Sequence, residues 1–171
     1  MKFVFFGRFL KYKGIHKLIN IFSKKYYIDN NISLTLIGRK DKSFLLPKIK
    51  TPNINVILKW IDESKLDKIL NKYDVCILPY DEASQSGIVE IMFRNSIPLI
   101  VTPVGGLGNQ IKNNFNGLVS KNKTISSIED EIKKIINLKV FYKLRKGAIE
   151  SAILNNKNFS KKISILYDFL K

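Results

Sequence analysis

The sequence predicts an α/β fold: a doubly wound parallel sheet with helices on both faces, in a single domain of 171 residues. Three observations predict it. Short apolar runs alternate with stretches of helical period as far as residue 120. Those runs are continuously apolar instead of alternating, as suits strands covered on both faces. No linker, repeat or shift in composition divides the chain, whose length suits one domain with a full core.

The first strand is expected at Phe3–Phe6, followed by a helix whose Ile15, Leu18, Ile19 and Phe22 share one face. Ser33–Ile37 and Asn55–Leu58 read as the second and third strands. A short amphipathic helix on Ser64, Leu66, Ile69 and Leu70 is opened by the acids Asp62 and Glu63, and leads to a fourth strand at Val75–Pro79. Then come a helix at Ser86–Asn95, a strand at Pro98–Thr102, a short helix at Gly105–Asn113 and a last strand at Leu118–Val119. Beyond residue 120 only helices are expected. Ser126–Leu138 begins with a cap and an acidic first turn, Glu129 to Glu131, which complements the helix dipole. Val140–Leu154 and Phe159–Leu170 follow.

A hydrophobic fraction of 45% excludes a disordered chain. Cys76 stands alone in the apolar run Val75–Leu78, so an intrachain disulfide and a cysteine zinc site are excluded and a buried, inert thiol is expected. No run approaches the roughly 18 apolar residues of a spanning helix. The apolar start before Gly7 and Arg8 is too short for a signal peptide, so the expectation is a soluble cytoplasmic domain.

The net charge of +16 is unevenly spread. Residues 1–50 carry +10, residues 51–110 carry −2, and residues 111–171 carry +8. Such a balance suits nucleic acid, an anionic membrane surface, a phosphorylated ligand, or a lysine-rich coat that only confers solubility. The flanking lysines are scattered over helices without interleaved exposed aromatics, which argues against nucleic acid.

Ligands of doubly wound sheets sit beyond the carboxyl ends of the strands. The loops concerned are Gly7–Gly14, Gly38–Ser43, Lys59–Glu63, Tyr80–Gly87 and Pro103–Gly108. In the first, GRFLKYKG, Gly7 lets a ligand approach the backbone. Arg8 and Lys13 can converge on one point, a pairing suited to a diphosphate; as two solvated cations among thirty, they would need no ligand. In the fourth, PYDEASQSGIVE, the helix start near Ser86 offers unpaired N–H groups and Gly87 leaves room for a phosphate. Glu82 and Glu90, with seven residues between them, can accept hydrogen bonds from sugar and ribose hydroxyls, or simply complement the helix dipole. Gly105 and Gly106 mark a turn. His16, the single histidine, has no nucleophile or ligand partner in any recognisable pattern and reads as a surface residue. Neither a hydrolase triad nor metal-ligand spacing is present.

Five stretches together resemble the C-terminal, donor-binding domain of family-4 retaining glycosyltransferases of the GT-B fold. They are FFGRFLKYKGIHKLINIF, LTLIGRKD, YDVCILPYDEASQSGIVE, IPLIVTPVGGLGNQIKNNFNGLVS and FSKKISILYDFL, in the family's order over nearly the whole chain. The resemblance implies a Rossmann-like sheet forming one half of a GT-B enzyme. It implies that Arg8 and Lys13, beside Gly7, bind the diphosphate of a UDP or GDP sugar. Glu82 would lie near the donor sugar, Ser86 and Gly87 at the phosphates, and Glu90 at the ribose. No metal is expected, because cations and helix N–H groups would take up the leaving-group charge.

The sequence departs from the family pattern in three places. Ala83–Ser86 replaces the usual Gly-Phe-Gly. One extra residue separates Glu90 from Pro98, so that counting back from Pro98 puts Ile91 at the second glutamate. Asn109 stands where the family has a glutamate, one residue beyond Gly-Gly-Leu-x. The resemblance further implies a saccharide or lipid-linked acceptor, an acceptor-binding N-terminal domain outside this chain without which transfer fails, and room for peripheral contact with the inner face of a membrane. A catalytically silent GT-B half and a basic module for nucleic acid or membrane are the competing readings.

Overall fold

The computed structural model describes residues 1–169, with side chains described through residue 156. Six strands, β1 (Lys2–Phe6), β2 (Ser33–Ile37), β3 (Ile54–Ile57), β4 (Val75–Leu78), β5 (Leu99–Val101) and β6 (Gly117–Val119), form one sheet in the order β3-β2-β1-β4-β5-β6. Every pairing is parallel. This is the expected doubly wound, Rossmann-like arrangement, with its topological switch point between β1 and β4. Register brings Phe6, Ile37 and Ile57 to one level, and Leu78, Val101 and Val119 to another, so the loops that follow open on one edge.

Strands β2, β4 and β5 are buried on both faces, which explains their largely apolar runs, while edge strand β3 is only partly covered. Helices α1 (Ile15–Phe22), α2 (Lys25–Asp29), α3 (Glu63–Leu70), α4 (Ile88–Arg94), α5 (Ile125–Ile136) and α6 (Leu138–Phe169) cover them. Phe3 meets Phe22 edge-on at 5.2 Å, and Phe22 packs on Tyr27 at 5.0 Å, which fastens α1 and α2 to the sheet. Cys76 is fully buried and burial pushes its thiol pKa up, in line with an inert group.

Several sequence expectations are corrected. Gly105–Asn113 is not a helix: it is a turn followed by a 3₁₀ turn at Gly108–Gln110, and Ile111 is already extended. Its hydrogen bonds are those of successive tight turns, Leu107 to Val104, Gln110 to Leu107 and Ile111 to Gly108, and Gly105 and Gly106 approach the carbonyls of Ala83 and Ser84 too closely to carry a Cβ. The helix expected from Ser86 begins at Ile88. The helices expected over Val140–Leu154 and Phe159–Leu170 are one continuous α6 as far as Phe169, while Leu170 and the side chains of the closing FSKKISILYDFL lie outside the described residues. Near the end of the third turn of α6, a Cβ at Gly147 would stand 2.0 Å from the Phe115 carbonyl oxygen, so the glycine lets this helix cross the turn before β6 at backbone distance.

The acidic first turn expected for the helix after residue 120 is also absent. Thr124 caps α5, accepting from the Ser127 N–H at 3.3 Å, and no acid lies in its first turn. Glu129 is instead a buried junction. It pairs with Lys24, lies 3.5 Å from Lys133 and accepts from the Tyr27 hydroxyl at 3.4 Å. Burial works to raise its carboxyl pKa, but Lys24 and Lys133 prevail and hold it below the ordinary glutamate value. A lowered folded pKa contributes stability that is present at neutral pH and is lost as pH falls through that value. Glu129→Gln is therefore expected to cost about 1–2 kcal/mol at pH 7, less than a fully buried pair because both lysines reach water. Thermal melts carried from pH 7 to well below the ordinary glutamate value of 4.5 should show the gap between parent and variant holding above that value and closing below it, as acid removes the parent's advantage. A gap that stayed constant would rule out the charge as its source.

Candidate functional site

At the switch point β1 ends in Gly7, whose φ of +134° is open mainly to glycine. Its amide donates to the Ile37 carbonyl at 2.9 Å, so the first loop starts from a fixed point. A 3₁₀ turn at Lys11–Lys13 then closes on Gly14, and this turn carries Lys13 back over the strand end. A Cβ at Gly7 would lie only 3.3 Å from the Lys13 ammonium. The ammonium donates to the Tyr80 hydroxyl at 3.3 Å and lies 4.8 Å from the centre of that ring. Tyr80, two residues after the end of β4, is buried.

Partial burial lowers the Lys13 pKa, and the Arg8 guanidinium nearby lowers it further. Two cations from one short loop are thus close enough to repel, in a place where one has lost part of its water. That arrangement favours an anion between them. Arg8 is largely exposed and donates to Asp41 at 3.2 Å. The Ser43 hydroxyl and amide, with Arg8, hold the Asp41 carboxyl below the usual range.

Beside these groups lies a cavity of about 370 Å³. Gly7, Arg8, Gly38 and Arg39 form one side of it, Lys59, Trp60 and Glu63 a second, and Ile88 and Ile91 of α4 the third. Trp60 is 72% exposed, which settles that it is not a core residue. Glu90 is exposed and is not among the lining residues; its neighbour Ile91 is. The structure therefore brings Gly7, Arg8 and Lys13 together, and leaves Glu90 apart from them.

The fourth loop is pinned to the first. Asp81 donates its amide to the Tyr12 carbonyl at 2.6 Å. Lys17 of α1 is buried, and its ammonium bonds Asp81 at 2.6 Å and the Lys123 carbonyl at 2.9 Å. Ser86 is buried and its N–H is taken by the Gln110 side chain at 2.8 Å, while Gln110 donates back to the Ser86 carbonyl at 3.2 Å. Of the expected helix-start donors, Ser86 is thus already paired. Gly87 faces open space, with nothing within 4 Å of where a Cβ would be. Glu82 lines a second, shallower depression of about 550 Å³, together with Asp81, Gly105, Lys121 and Lys123. His16 is exposed, as expected.

Sequence reasoning missed Arg39, Lys59, Tyr80, Lys17 and Gln110 as members of the site. Arg39 and Lys59 lay in loops marked for their position at strand ends, so that signal was present. Gln110 gave none, because its role depends on the turn that replaces the expected fifth helix. Among the described residues, no helix is long and apolar enough to cross a membrane.

Comparison with known proteins agrees with this fold. The model of the family described as glycosyl transferases group 1 matches residues 1–154. The capsular polysaccharide biosynthesis glycosyltransferase CapM of Staphylococcus aureus is 26% identical over 137 residues, which are 77% of this chain and 35% of CapM. Sucrose-phosphate synthase from Thermosynechococcus elongatus superposes with a TM-score of 0.77 at 19% identity, over 99% of this chain and 45% of that one. Anabaena HepE, solved in complex with UDP-glucose, superposes with a TM-score of 0.73 at 12% identity, over 95% of this chain and 48% of its own. The chain spans less than half the length of each. Both superposed structures share its fold, and the family match runs unbroken from β1 into α6: the chain belongs to the glycosyl transferases group 1.

Proposed function

We propose that this domain binds the nucleoside diphosphate of a sugar donor at the β1–β4 switch point without a divalent metal, and that it supplies the leaving-group half of a retaining glycosyl transfer. The observation that carries this reading is the Lys13 ammonium held over Gly7 with Arg8 beside it. The family match and the UDP-glucose held by HepE support a nucleotide sugar as ligand. The capsular role of CapM supports a saccharide or lipid-linked acceptor, with acceptor binding supplied from outside this domain.

During transfer the bond between the anomeric carbon and the diphosphate oxygen breaks, and its electron pair goes to the phosphate. Arg8 and Lys13 stabilise the growing negative charge, and removing one such donor typically costs roughly 10²–10³ in rate. The acceptor oxygen bonds the anomeric carbon on the face the leaving group departs from and gives its proton to an oxygen of the departing diphosphate, so the configuration is retained. Glu82, which lines the second depression, is the carboxylate this reading assigns to accept from the hydroxyls of the sugar.

The test is calorimetric titration with UDP, GDP and ADP and their sugar conjugates, with and without EDTA. Binding in the micromolar-to-millimolar range that survives EDTA is expected for at least one of them. Binding seen only with Mg²⁺ or Mn²⁺ would overturn the metal-free mechanism.

A further inference from the structure

The nucleoside side of the proposed site has an unusual balance of donors and acceptors. Its cations, Arg8, Arg39 and Lys59, carry donors and no acceptor, and the Trp60 indole likewise only donates. The α4 wall is apolar, made by Ile88 and Ile91. Ribose hydroxyls must donate their protons, and a carboxylate, being acceptor-only when ionised, is the side chain suited to receive them. One carboxylate lines the cavity, that of Glu63 on the first turn of α3. Its neighbour Asp62 pairs with Lys65, whereas Glu63 has no hydrogen-bond or ion-pair partner among the described residues. Leu66, one turn further along, is buried and lines the same cavity, which orients this face of α3 toward it.

Resting on the nucleoside-diphosphate reading above, we propose that Glu63, and not a residue of α4, is the carboxylate that receives the ribose hydroxyls. The α3 side of the cavity then does what a glutamate at position 91 would have done from α4. The consequence is selectivity for a ribose over a sugar lacking its hydroxyls, set by a residue on a different element.

The test compares the parent with Glu63→Gln by calorimetry, using UDP, GDP and ADP, their 2′,3′-dideoxy counterparts and inorganic pyrophosphate. The side chain is exposed, so a thermal melt of the variant should match the parent. Expected is a parent that prefers the ribose form of its nucleotide by about tenfold or more. The variant should bind ribose and dideoxy forms alike, and pyrophosphate as the parent does. A preference retained in Glu63→Gln, or lost in Glu90→Gln, would overturn the assignment and leave the diphosphate reading standing. A loss of pyrophosphate binding in Glu63→Gln would overturn it too, by placing the effect at the phosphates. A parent that binds neither nucleotides nor pyrophosphate would remove the site itself.

Discussion

Lys13→Met is expected to weaken nucleoside diphosphate binding by about 10- to 100-fold, the loss of one charge-assisted hydrogen bond of roughly 1.5–3 kcal/mol. The same substitution should leave the melting temperature unchanged or raise it. The reason is the direction of the Lys13 shift: a lysine whose folded pKa lies below its ordinary value is charged at a cost to the fold. That cost applies at neutral pH and fades as pH rises through the lowered value. Binding and stability should therefore respond in opposite senses. In the parent, affinity should start to fall on the alkaline side before the ordinary lysine value of 10.5 is reached. Arg8→Ala should weaken binding as well, by less, because its guanidinium is mostly in water. Calorimetry and thermal melts on the same preparations decide the matter. Unchanged affinity in both variants would show that the diphosphate does not sit between these cations.

Gly14→Ala is expected to cost the fold about 3 kcal/mol or more. Gly14 has a φ of +65°, and its Cβ would stand 2.0 Å from the Pro79 carbonyl oxygen, a backbone atom at the end of β4. Neither conflict can be relieved by a side-chain rotation. Relief requires α1 to back away from β4, and this would carry Lys13 off Gly7 and Tyr80. Urea denaturation should show a lower midpoint. Any variant that stays folded should also bind nucleotide less tightly although no ligand-facing atom was changed. A midpoint equal to the parent's would mean that α1 and β4 are not held at this distance.

Much of the architecture was legible because parallel strands covered on both faces leave an unmistakable apolar signature. Phe3–Phe6, Ser33–Ile37 and Val75–Leu78 could be read directly. The fifth loop was misread because glycine and asparagine turns mimic a short helix in composition, and the decisive contact, Gly105 on Ala83, joins residues far apart in sequence. Glu129 was misplaced for a similar reason. Its acidity fits a helix dipole locally, and only the fold brings Lys24 and Tyr27 to it. At the site, the convergence of Arg8 and Lys13 followed from loop length. The absence of Glu90 from the cavity turned on one residue's rotation along α4, and local pattern leaves that rotation open; counting back from Pro98 did point to Ile91.

Lys17 has a consequence for engineering. Its ammonium is shut away from water and answered by Asp81 and by backbone oxygen from the segment leading into α5. Replacing the Tyr80–Gly87 loop with one that carries no acid at position 81 would strand that charge. Such chimeras should misfold unless position 17 is exchanged in the same step. Residues 17 and 81 form one ion pair, so a library that varies either alone would lose folded variants for reasons unconnected with sugar.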